Sequence, residues 1–146
     1  MQDDLDQRAA DYVTVGVVGA GRRMTPLLSR MLEYDYVDVR IVIDSNAFAP
    51  GMLIAQSLGV KTSDDLADLF RELPNLDFVF CVHDDEEVKD AIMAEFVRTS
   101  NRRTMFLNEL ATRFIMSLCK DARELMQLAP PRADSGSGDL PEPPLY

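Results

Sequence analysis

Short apolar runs and segments of helical period take turns along most of the chain. Residues 13–18 (VTVGVV) are apolar and β-branched and read as a buried strand. Gly19-Ala20-Gly21 breaks that run, and Met24, Leu27, Leu28, Met31 and Leu32 then recur at helical spacing over 22–33. Pro26 falls in the first turn of this helix, where its missing N–H costs nothing. A second strand is expected at 37–43 (VDVRIVI), then a helix at 49–58 that opens on Pro50 and stops at Gly59, then a very short third strand at Val60-Lys61. Thr62-Ser63-Asp64-Asp65 carries a capping-box pattern ahead of a helix at 64–72, with Pro74 just beyond it. Residues 77–82 (DFVFCV) predict a fourth strand. Asp84-Asp85-Glu86-Glu87 opens a helix to about Arg98, with Val88, Ile92, Met93, Phe96 and Val97 as its apolar face. Residues 103–107 (RTMFL) predict a fifth strand. Asn108 is suited to cap a last helix at 109–128, in which Leu110, Phe114, Ile115, Leu118, Ala122, Leu125 and Met126 recur at helical spacing.

Strands and helices alternating in this way imply parallel strands joined by right-handed crossovers. The expected architecture is α/β: a doubly wound, mainly parallel sheet of five or six strands with helices on both faces. Sheets of this kind bind ligands beyond the carboxyl ends of their strands, where the strand order reverses. The positions to search for chemistry are therefore those just after a strand. A length of 146 residues fits one domain, expected over 12–129. Residues 1–11 are polar and are expected to be frayed, and 130–146 is a Pro-, Gly-, Ser- and acid-rich stretch expected to be a disordered tail or linker. A formal net charge of −10 argues against a nucleic-acid partner or an anionic membrane surface, because both need clustered Lys and Arg. The start is acidic, unlike a signal peptide, and no apolar run approaches the ~20 residues of a membrane span. Cys81 and Cys119 have neither metal-ligand nor disulfide spacing, so a cytoplasmic setting is expected.

Val17-Val18-Gly19-Ala20-Gly21-Arg22-Arg23-Met24 begins the pattern G-x-G-x-x-G between a strand and a helix. Gly19 suits the tight turn, and Gly21 lets a pyrophosphate approach the backbone. Free N–H groups and the positive end of the helix dipole then face the phosphates. Met24 stands where the third glycine would allow close helix–strand packing. Asp44 follows the second strand, 25 positions beyond Gly19. A carboxylate there can accept both ribose hydroxyls and repels a 2′-phosphate, which favours NAD over NADP. Arg22 or Arg23 could pair with the pyrophosphate, or with a 2′-phosphate if Asp44 turns away. His83 is the one histidine and the one acid/base candidate. No partner base or nucleophile can be named for it, so no catalytic residue is assigned. The carboxylates at 84–87 read as a helix start and not as a metal cage, since consecutive residues there point in different directions.

GVVGAGRRMTPLLSRML, VRIVIDSNAFAPGMLIAQSLGV, DDLADLF and LDFVFCV together resemble the N-terminal Rossmann domains of the glucose–fructose oxidoreductase/inositol dehydrogenase-like superfamily. Dihydrodipicolinate reductase, homoserine dehydrogenase and aspartate dehydrogenase carry similar domains. The stretch from Asp44 to Val60 also resembles Rossmann modules at the front of some bacterial sensor kinases. The resemblance covers about residues 13–110. It implies cofactor contacts at Gly19, Gly21, Arg22 and Asp44, with the end of the fourth strand near the nicotinamide. The full set of expected contacts is Gly19, Ala20, Gly21, Arg22, Arg23, Met24, Asp44, Ser45, Val82 and His83. Those oxidoreductases also have a second, substrate-binding domain, which the residues after 130 do not resemble. Three readings follow: an NAD(H)-binding sensory or regulatory module, fused or partnered with a signalling domain; an NAD-dependent oxidoreductase domain separated from its substrate domain; or a degenerate Rossmann scaffold for protein contacts. The last helix could pair with its twin in a homodimer, or cover the chain's own sheet.

Overall fold

The structure is a computed structural model that describes residues 12–118. The expectations for 1–11 and for everything after Leu118, Cys119 and the rest of the last helix included, lie outside the described residues.

Five parallel strands form one sheet in the order β3-β2-β1-β4-β5: β1 Val13–Val18, β2 Val37–Ile43, β3 Thr62–Ser63, β4 Phe78–Cys81 and β5 Met105–Leu107. Five helices connect or follow them: α1 Thr25–Glu33, α2 Pro50–Ser57, α3 Leu66–Glu72, α4 Glu86–Arg98 and α5 Glu109–Ser117. A 3₁₀ turn, Leu73–Asn75, follows α3. This is the doubly wound Rossmann-type α/β fold, with five strands among the described residues. Strand order reverses between β1 and β4, so the ligand crevice of such a sheet opens beyond Val18 and Cys81.

Burial divides the core by sheet face. One cluster joins Val15, Val17, Val39, Val42 and Phe80 with Met24, Leu28 and Met31 beside and within α1, Met52 and Ala55 of α2, and Met116 of α5. The other joins Val18, Ile41, Ile43, Val79 and Cys81 with Leu69 of α3 and Ile92 of α4. The run VDVRIVI serves both faces by alternation, and its register with β1 slips between Val15 and Gly16, passing over the exposed Arg40. That bulge shifts the parity of the strand: Val39 faces one cluster and Ile41 the other.

Several boundaries differ from expectation. Helix α1 starts at Thr25 and not at 22, because residues 21–24 form a turn closed by Met24 N–H donating to Gly21 O at 3.1 Å. The third strand lies at Thr62–Ser63 and not at 60–61. Val60 is used first to close α2, donating to Ala55 O at 2.9 Å while Gly59 donates to Gln56 O at 3.1 Å, the paired bonds of a Schellman stop. Helix α3 starts at Leu66, capped by Asp65, whose side chain accepts from Ala67 N–H. The fifth strand starts at Met105 because Asn101 and the buried Thr104 shape a turn before it. The apolar faces of α4 and α5 are narrower than their periodicity implied. Met93 and Val97 are exposed, as are Leu110, Phe114 and Leu118, while Ile115 packs against the core and Thr112 and Met116 are buried.

Candidate functional site

At the carboxyl end of β1 the chain turns through Gly19, at φ +93°, a backbone conformation that side chains disfavour. A Cβ on Gly19 would lie 2.2 Å from the Val82 carbonyl oxygen. Gly19 is thus fixed by the close passage of the chain leaving β4. Its amide donates to Ile43 O at 2.8 Å, and Val82 N–H donates to Val18 O at 2.9 Å, so the ends of β2, β1 and β4 are tied together.

Ala20 is wholly buried and fully engaged. Its N–H donates to Asp44 Oδ2 at 2.8 Å, and its carbonyl accepts from Gly51 N–H at 2.7 Å. The start of α2 therefore docks on the glycine turn. A Cβ at Gly51 would meet Ala20 O at 2.7 Å and Ala20 Cβ at 2.9 Å, so this contact needs a residue without one. Asp44 also accepts from Asn46 N–H, on Oδ1 at 2.8 Å. Each carboxylate oxygen holds one backbone amide and keeps a further lone pair. Asp44 is half-buried, and Ser45 beside it is exposed. Phe48, further along the same loop, is 79% exposed, and its amide donates to Asn46 Oδ1.

The next stretch of the turn is arranged differently. The amides of Gly21, Arg22 and Arg23 have no acceptor among the described residues. A Cβ on Gly21 would meet nothing within 4 Å. These three successive donors lie in the turn that leads into a nine-residue helix, beside open space, and are a candidate anion cradle. Thr25 Oγ1 closes the far side by donating to Gly21 O at 3.1 Å. The Met24 side chain is fully buried in the core with Val15, Val17 and Leu28, so only its backbone borders the turn.

The two arginines diverge. Arg22 is exposed and has no side-chain partner among the described residues. Arg23 crosses toward β4 and β5. It donates to Glu109 at the start of α5 and pairs with Asp84 at 3.3 Å. Val82 and His83, both half-buried, border this side of the crevice. His83 Nδ1 accepts from Asp85 N–H at 3.1 Å, which leaves the ring proton of the neutral form on Nε2. Asp85 caps α4, its side chain accepting from Glu87 N–H, and Asn108 caps α5 by accepting from Ala111 N–H. Cys81 lies beneath, and burial pushes its thiol up to about 11. It is an inert hydrophobe at neutral pH. Among the described residues no group of three His, Cys, Asp or Glu is placed to hold a metal, and no helix is long and apolar enough to cross a membrane.

The fold thus brings the turn 19–24, Asp44, Ser45, Val82 and His83 to one end of the sheet. Gly51 and Glu109 were not among the residues expected there. Gly51 left a faint signal in Ala49-Pro50-Gly51, where a glycine stands inside an opening helix. Glu109 left none beyond its place in a first helical turn.

No family model matches the chain, and no curated protein matches it by sequence. Solved structures do resemble it. GenD2 from gentamicin A biosynthesis, in complex with NAD, aligns with a TM-score of 0.51 at 14% identity, over 75% of this chain and 40% of GenD2. Saccharopine dehydrogenase (L-Glu forming) from Saccharomyces cerevisiae, in its apo form, aligns with a TM-score of 0.50 at 19% identity, over 80% of this chain and 24% of the enzyme. The chain therefore spans well under half of each protein. At such identities the likeness establishes the Rossmann-type fold.

Proposed function

We propose that this chain is a Rossmann module that binds NAD(H) and performs no chemistry by itself. The observation that carries the reading is the set of three successive amides without an acceptor among the described residues, in a turn where a Cβ on Gly21 would meet open space. The end of β2 adds a carboxylate already held in place by two backbone amides. In this reading the amides of Gly21, Arg22 and Arg23 bind the diphosphate. Asp44 accepts from the adenosine ribose through its remaining lone pairs and disfavours a 2′-phosphate. Ala20 positions Asp44 and makes no ligand contact of its own. Val82 and His83 border the nicotinamide half. When bound, the nicotinamide supplies hydride chemistry. This chain's own contribution would be to hold and orient it.

GenD2, a structural neighbour, was solved with NAD, which supports the choice of ligand. A regulatory role, with occupancy reported to a fused or partner domain in a cytoplasmic protein, rests on the sequence resemblance. Calorimetry with NAD, NADH and NADP tests the central reading. Micromolar NAD binding is expected, weakened at least about tenfold in Gly21→Val, whose side chain fills the cradle. Asp44→Asn should narrow the preference against NADP. Equal affinity of wild type and Gly21→Val would refute the cradle. An oxidoreductase domain is the second reading, favoured by the position of His83 just after β4, with Nδ1 accepting from the Asp85 amide and Nε2 left for other contacts. It requires NADH turnover on a carbonyl or imine panel that disappears in His83→Ala.

A further inference from the structure

We propose that Glu109 sets the affinity of the glycine turn for a diphosphate by competing with it for the Arg23 guanidinium. The inference rests on the dinucleotide reading above. Arg23 contributes its amide to the anion cradle, yet its side chain is drawn off to Glu109 and Asp84. Two carboxylates thus share one guanidinium. The Glu109 side chain is 23% exposed and that of Asp84 80%, so Glu109 is the less screened and stronger competitor.

A diphosphate held by the amides of 21–23 brings further negative charge beside this cluster. If Arg23 keeps its partners, the anion gains nothing from this guanidinium and lies near the two carboxylates that hold it. If Arg23 swings to the anion, Glu109 and Asp84 lose theirs. Either course weakens binding relative to what the cradle alone would give. Glu109 is thereby an affinity-setting residue that touches the ligand only through Arg23. Its effect suits a diphosphate nucleotide that exchanges with its surroundings and is not retained as a fixed prosthetic group.

Calorimetry on the full chain with ADP, and with adenosine as the uncharged control, tests this. Glu109→Gln should bind ADP about tenfold more tightly, the scale of one charge-assisted pair. Asp84→Asn, on an exposed loop where folding is not at stake, should give a smaller gain of the same sign. Adenosine affinity should stay unchanged in both. Adding Arg23→Gln to Glu109→Gln should erase the gain, and raising salt should shrink it. ADP affinity unchanged in both single variants, or adenosine gaining equally, overturns the proposal while leaving the dinucleotide reading intact. Failure of wild type and every variant to bind ADP or NAD overturns the dinucleotide reading and this inference with it.

Discussion

Gly19 and Gly21 stand two residues apart in one turn and answer to different demands. Gly19 has a positive φ and the Val82 carbonyl against it, whereas Gly21 faces open space. Gly19→Ala should therefore cost about 2–4 kcal/mol of folding stability, through backbone strain plus the clash. Gly21→Ala should fall within about 0.5 kcal/mol of wild type in urea denaturation. A large loss for Gly21→Ala would mean that its role is structural. A glycine-marked turn was legible in the sequence, because Gly19-Ala20-Gly21 breaks an apolar run ahead of a helical period. Which of the two glycines serves the fold and which the crevice was not legible. That depends on Val82, 63 residues further on. Asp77, at the opposite end of the sheet, bears a separate prediction. The Thr14 amide, with the Thr14 hydroxyl and Arg103 behind it, holds the Asp77 carboxyl below the usual range. With the folded pKa below the unfolded value of about 3.9, the stabilisation is fully present above that value and is lost as pH falls through the folded pKa. Melting temperatures from pH 7 to pH 2 should show this acid-side loss, and Asp77→Asn should flatten part of it.

Among the elements, β1, β2 and α2 lie within a residue of where local pattern put them. Their ends are marked by residues acting at short range, such as Gly59 closing α2. The misplacements are equally physical. Val60 has apolar character enough for a strand but is consumed by the helix stop. Leu110, Phe114 and Leu118 keep helical spacing, yet α5 turns Ile115 and Met116 toward the sheet. Periodicity reports that a helix has an apolar stripe and not which of two stripes is covered. The docking of α2 on the glycine turn was also invisible in sequence, and it makes a prediction at this scale. Gly51→Ala would place a methyl 2.7 Å from Ala20 O, forcing α2 away from the turn. A cost of about 1–3 kcal/mol is expected from such overpacking. Because Ala20 also holds Asp44, weaker NAD binding should accompany it. Unchanged stability and affinity together would show that the contact is dispensable.

For the whole molecule, ligand binding and folding are linked. NAD at a hundredfold excess over its dissociation constant should stabilise the chain by about 2.7 kcal/mol. For a domain of this size that is a rise in Tm of about 5–11 °C. Thermal melts with NAD, NADP and ADP measure it, and Glu109→Gln should enlarge the shift produced by ADP. No shift with any nucleotide would count against the cradle. Alternation of buried strands with amphipathic helices determined the fold class and put the glycine turn and Asp44 at one end of the sheet. That information is local, since burial on two faces leaves its period in every segment. The partners of Arg23, 61 and 86 residues away along the chain, were decided by tertiary structure alone. So were the engagement of Ala20 and the choice of helix face against the core. Such contacts depend on how far each helix slides and turns on the sheet, a degree of freedom that no single segment encodes.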